Sequence, residues 1–175
     1  LTYRIMNERK SRIHQPLGLI RENLEGISWE KAYGAIAERI RELKPLPQEV
    51  LALTDTHASN EELFLIQKLL KEGFSSENIF CPFPTWEQSE SDFFINTLIT
   101  TDKTPNRAGA LALQIKGDQK NKKLKKVIEG ELKVVFVLGN PFENELEFKE
   151  IIKRTQLVIH IGVFHNSWSE MADVV

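Results

Sequence analysis

Cysteine is all but absent from this 175-residue chain, with Cys81 standing alone. A single thiol excludes an internal disulfide, cannot hold a zinc or iron–sulfur site by itself, and fits a reducing compartment. Long apolar runs are missing too. The longest, such as Val134 to Leu138, fall far short of the roughly 20 residues a membrane-spanning helix needs, and the first residues lack the pattern of an export signal; a soluble domain is expected. Nor is there an excess of one charge. Lys plus Arg number 23 against 25 Asp plus Glu, a formal net charge of -2, which offers no long-range pull toward nucleic acid or acidic lipid. No Walker-type phosphate loop, no G-x-G-x-x-G and no G-x-S-x-G elbow occurs, so ATP or nicotinamide binding and an esterase-type nucleophile lose their main sequence support.

What is present suits one domain with a sizeable core. Residues 1–27 carry few periodic signals and are expected to form an irregular lead-in, with 28–175 as a single domain. From Ser28, a plausible N-cap, Trp29, Ala32, Tyr33, Ile36, Ile40 and Leu43 recur at three and four residues. That spacing predicts a helix with these six on its apolar face, ended by Pro45 and Pro47. Val50 to Leu53 predicts a strand buried on both faces. Ser59 and Glu62 form a capping box opening a helix with Leu63, Ile66 and Leu70 inward and Gly73 as C-cap. A short strand is expected at Ile79, while Asp92 to Ile99 stays open between helix and loop. Asn106 is expected to cap a helix through Ala108, Leu111, Ala112 and Ile115. Leu132 to Leu138 and Leu157 to Ile161 read as strands, Gly139-Asn140-Pro141 as a turn and Glu145 to Arg154 as a helix. Strands alternating with helices predict an α/β fold: a three-layer α/β/α sandwich on a mainly parallel, doubly wound (Rossmann-like) sheet.

In such sheets the loops leaving the carboxyl ends of the strands line the ligand crevice. Those loops are Thr54 to Ala58, Gly139 to Phe142 and Gly162 to Ser167. Among the four histidines, His57 and His165 sit on two of these loops and form the pair to test as a polar site; His160 reads as a core residue within a strand, and His14 has no partner by spacing. Asp55 beside His57 is either an acid–base partner or a turn former. Cys81, between Phe80 and Pro82, reads as a buried inert thiol rather than a nucleophile. The amides at Ser59 to Glu62 would favour an anion, which leaves open a nucleotide- or phosphate-binding module. The stretch Lys116 to Lys126, with six lysines and one aspartate, reads as a solvated helix face, because it lacks the interleaved aromatics of a nucleic-acid surface.

Seven short segments then fall in a definite order. Arg12-Ile13-His14-Gln15-Pro16-Leu17 leads to Ser28-Trp29-Glu30-Lys31-Ala32 and Ile36-Ala37-Glu38-Arg39-Ile40. Next comes Ser59-Asn60-Glu61-Glu62-Leu63-Phe64-Leu65-Ile66-Gln67-Lys68-Leu69. Gly130 to Val134 runs into Leu138-Gly139-Asn140-Pro141, and Ala172-Asp173-Val174-Val175 closes the chain. Together they resemble the molybdopterin oxidoreductase family, the Asn-Glu-Glu helix most specifically. Within it, Asn106-Arg107-Ala108-Gly109-Ala110 is most similar to the subunit-G branch of the respiratory NADH–quinone oxidoreductases, complex I.

Two departures bear on what the resemblance implies. The family's molybdenum-ligating Cys, selenocysteine or Ser position falls near Trp86, which cannot ligate a metal, and Cys81 comes a few residues too early. The stretch from Trp86 to Asn106 is also too short for the further α/β domain that catalytic members insert there. The resemblance therefore implies a non-catalytic scaffolding domain of an oxidoreductase. It would have no cofactor in this segment, iron–sulfur clusters elsewhere in a longer parent, and other subunits of a respiratory complex as partners. The expected location is cytoplasmic and peripheral to the inner membrane, with no nucleic acid and no direct membrane insertion. The alternative it implies is a fragment of a formate dehydrogenase-like enzyme that binds molybdopterin guanine dinucleotide through Asn60, Gly139, Asn140, His165, Ser167 and Asp173. The start at Leu1 and the apolar finish are read as those of a fragment.

Overall fold

The computed structural model describes residues 12–20, 23–82, 104–115, 117, 122–141 and 152–175. The expectations for Trp86, for Asp92 to Ile99, for most of the Glu145 to Arg154 helix and for the first part of the lysine stretch lie outside these residues. The fold is α/β.

Its centre is a parallel four-stranded sheet in the order β4-β3-β5-β6, formed by β3 (Val50–Thr54), β4 (Ile79–Phe80), β5 (Val134–Leu138) and β6 (Leu157–Ile161). Leu51 lies opposite Val135, and Val135 opposite Val158. Every residue of β3 and β5 is buried, as expected for strands covered on both faces.

Side chains alternate between two cores because the strand period is two. Val50, Ala52, Val134, Phe136 and Ile159 pack with Leu63, Ile66 and Leu70, whereas Leu51, Leu53, Val135, Val137 and Val158 pack with Leu124, Ile128, Ile152 and Trp168. The first core is supplied by α1 (Trp29–Leu43) and α2 (Asn60–Lys68), joined by Ala110 of α3 (Arg107–Ala112). The second is supplied by α4 (Lys122–Ile128) and by a 3-10 turn at Ser169–Met171.

Local chemistry explains most boundaries. Ser28 accepts the Lys31 N–H and starts α1. Ser59 and Glu62 complete the reciprocal capping box at the head of α2, with 3.2 and 2.7 Å bonds. Two caps differ from expectation. Helix α1 ends at Lys44, which takes a left-handed φ of 44° before Pro45 is reached. Gly73 is not a left-handed cap: α2 widens into a π turn over Leu69–Gly73, and Ser75, at φ 53°, makes the reversal.

The apolar stripe of α1 is also shorter than its periodicity implies. Ala32 is buried and Ile36, Ile40 and Leu43 pack on the core, but Trp29 and Tyr33 stand 59% and 62% exposed with their rings 5.5 Å apart. Periodicity places a face on a helix, but how much of that face meets the sheet depends on where the helix lies.

The lead-in is not irregular where described. Leu17–Ile20 (β1) and Asn23–Gly26 (β2) form an antiparallel hairpin. Val174 bridges Ile159 on one side and Gly18 on the other, and Leu17 and Val175 exchange two 2.8 Å bonds. The hairpin thus continues the sheet beyond β6. Among the described residues, no helix is long and apolar enough to cross a membrane.

Candidate functional site

Parallel strands bring the loops after β3, β5 and β6 out along one edge of the sheet, as expected. The structure knits these loops to one another. Asp55, directly after β3, receives the Asn140 N–H on Oδ2 at 2.8 Å and the His57 N–H on Oδ1 at 2.9 Å. Its own N–H goes to the Leu138 carbonyl, and Gly139 N–H goes to that of Ile161.

Gly139 has a φ of 77°, and a Cβ there would collide with the Asp55 carboxylate. The glycine therefore makes room for a side chain of this protein. Asp55 acts as a turn former and a cross-link; His57 Nδ1 lies 3.9 Å from its Oδ2, with the imidazole largely in water. That distance is beyond hydrogen-bonding range, so the imidazole is not bonded to the carboxylate here.

His160 is 1% exposed, and its Nε2 lies 2.9 Å from the Gly139 carbonyl oxygen, to which the neutral ring donates. A Cβ at Gly162 would sit 2.5 Å from His160 Cε1, so the chain crosses the ring closely there. Burial lowers the His160 pKa below 6.5; the Gly139 carbonyl and Asp55 pull the other way, and His165 adds to the lowering. The sequence expectation of a satisfied core histidine holds for Nε2 only, because Nδ1 is buried without a partner among the described residues, as is Asn140 Oδ1.

A folded state that binds this proton more weakly than the unfolded chain loses stability as pH falls below the unfolded value near 6.5. Urea midpoints should therefore drop between pH 7.5 and pH 5, and His160→Gln should flatten that drop. An unchanged acid slope in the variant would remove His160 as its source.

Asn60 begins α2 and is exposed. Its Oδ1 accepts a 3.0 Å bond from Asn106 Nδ2, which also donates to the Ala58 carbonyl at 2.8 Å. Asn106 does not cap α3 through its side chain, as expected from the sequence; it ties α3 back to the loop after β3, and its N–H reaches the Thr56 carbonyl. Helix α3 stops at Ala112, so Leu111 is exposed while Ile115, beyond the helix end, is buried. The amides of Ser59 and Glu62 are both taken by the capping box, which removes two donors from an anion site at this helix start.

The six cofactor candidates are not one site. Gly139 and Asn140 meet at Asp55, and Asn60 sits with Asn106. His165 is exposed on the loop after β6, and Ser167 lies in the turn that follows. Asp173 is elsewhere: its Oδ2 accepts the Val158 N–H at 2.7 Å. Val158 is the second residue of β6, three rungs or about 10 Å along the strand from the loop side. The segment 173–175 runs parallel to β6, so its first residue falls at that strand's beginning.

Cys81 is fully buried, and desolvation pushes its pKa up to about 12, against a smaller effect of the Thr54 hydroxyl, with Asp55 adding to the rise. It is buried and held in the thiol form, in keeping with the expectation of a core residue. Among the described residues, no three His, Cys, Asp or Glu side chains gather as a metal site. Sequence reasoning missed Asn166 and Ser169. Asn166 Oδ1 accepts the N–H groups of Trp168 and Ser169 at 2.9 and 3.0 Å, and the Ser169 hydroxyl returns a 2.7 Å bond to the Asn166 carbonyl. The Asn-x-x-Ser spacing was the available signal.

A pterin dinucleotide, which the resemblance implies for catalytic relatives, needs donors and space beside Gly139. Here the Asn140 amide and the space over Gly139 are taken by the Asp55 carboxylate, and Asp173 lies at the other end of its strand. These residues do not fit that group. No protein-family model matches the chain, and no curated protein matches it.

Proposed function

We propose that this chain is a scaffolding domain of the molybdopterin-oxidoreductase type, closest to the subunit-G branch of complex I. It would support electron transfer by iron–sulfur clusters held elsewhere in a longer protein and would contact neighbouring subunits on the cytoplasmic side of the inner membrane. The reading includes a three-layer sandwich, in keeping with the two cores on opposite faces of the sheet. The observation that supports it is the Asp55 bridge: the Asn140 amide and the space over Gly139, which the resemblance would give to a cofactor, are taken by the protein's own carboxylate.

The test is metal and pterin analysis of the longer protein purified from its host. Iron without molybdenum or pterin is the expected result. Stoichiometric molybdenum with a fluorescent pterin would overturn the reading and restore the dinucleotide-binding alternative.

A further inference from the structure

Beside α1 the sheet carries a groove of about 480 Å³. Leu157 and Val174, both buried, line it together with Leu19 of the hairpin, which is half exposed, and Ile27. Lys31, Ala35 and Arg39 form its α1 wall, with the two cations about two turns apart on one flank of the helix.

The charges on this wall are available. Lys31 is exposed, and its ammonium has no ion-pair partner among the described residues. Arg39 pairs with Glu42 at 2.9 Å, but both side chains are about half in water, where such a pair contributes little and exchanges readily. Asp173, the one carboxylate lining the groove among the described residues, accepts the Val158 N–H. An apolar trough beside two available cations is complementary to a chain segment that places acidic residues next to apolar ones.

We propose that this groove seats an acidic, apolar segment of a neighbouring polypeptide. Apolar residues would lie on Leu157 and Val174, and carboxylates would face Lys31 and Arg39. The proposal rests on the scaffolding reading only for the source of the segment, since the charge and shape of the groove stand without it.

Lysine acetylation, read by mass spectrometry, tests this on the full-length protein in its native assembly and after its partners are stripped by salt. Lys31 should react at least tenfold more slowly in the assembly, while the exposed Lys125 and Lys126 react alike in both. Lys31→Glu combined with Arg39→Glu should lower the retained partner at least tenfold, with the fold checked by circular dichroism. Equal reactivity of Lys31 in the two states overturns the proposal. So does protection that survives stripping, which would assign the groove to the protein's own chain, or protection lost on dilution alone, which would assign it to a second copy. Molybdenum with pterin alongside a protected Lys31 would sink the scaffolding reading and leave the groove standing; iron alone with a reactive Lys31 would do the reverse.

Discussion

Replacing Trp168 by alanine should lower the unfolding free energy by about 3–5 kcal/mol, the range for truncating a large aromatic in a packed core. Trp168 is fully buried against Leu51, Leu53, Val135 and Val158 in the second core. Its backbone is held by Asn166, whose side-chain oxygen accepts the Trp168 N–H. From this turn the chain runs into Asp173–Val175, which bonds both β6 and β1. The loss should therefore spread to the hairpin and appear as faster amide exchange at Leu17 and Leu19. Trp168→Phe should cost less, because it keeps much of the ring and removes an indole N–H that has no partner among the described residues. Urea unfolding followed by circular dichroism gives the comparison. A loss under about 1 kcal/mol for Trp168→Ala, below the usual cavity cost, would mean that the second core closes over the gap.

Gly139→Ala should cost about 2–5 kcal/mol, from two sources. A non-glycine residue at a φ of 77° carries roughly 1–2 kcal/mol of backbone strain. The new methyl group also displaces the Asp55 carboxylate, whose bond to the Asn140 N–H is then lost, at about 1–3 kcal/mol for a group left unpaired. For a domain of this size the midpoint of thermal unfolding should fall by on the order of 10 °C. Asp55→Ala removes the obstacle along with the bond, so the double variant should be clearly less unstable than the sum of the single variants. Strict additivity of the two losses would show that Gly139 and Asp55 do not act on each other.

The elements legible in the sequence are those whose cause is local. Ser28 and the pair Ser59 and Glu62 announce their helices because a cap is made within three residues. Val50 to Leu53 and Val134 to Leu138 read as strands because burial on both faces demands an unbroken apolar run, and Leu157 to Ile161 follows the same pattern with His160 as its one polar member. The burial of Cys81 was legible from its apolar neighbours. Trp29 and Tyr33 were misplaced because helical periodicity continues past the point where the helix leaves the core. Gly73 was misplaced because the π turn carries the reversal two residues further, to Ser75.

By itself, then, the sequence determined an α/β chain with a parallel sheet, its strand order along the chain and the edge on which its loops gather. Tertiary structure alone decided what those loops do. Asp55 meets Asn140 across 85 positions, Asn106 reaches Ala58 across 48 and Asn60 across 46, and no local pattern records a bond between residues that only chain folding brings together. The same holds for the hairpin at Leu17 to Gly26, which is too short and too polar to pair alone and becomes sheet because Val174 lies between it and β6. It holds also for Asp173, whose place at the start of β6 rather than beside Gly139 follows from the direction in which its strand is laid down.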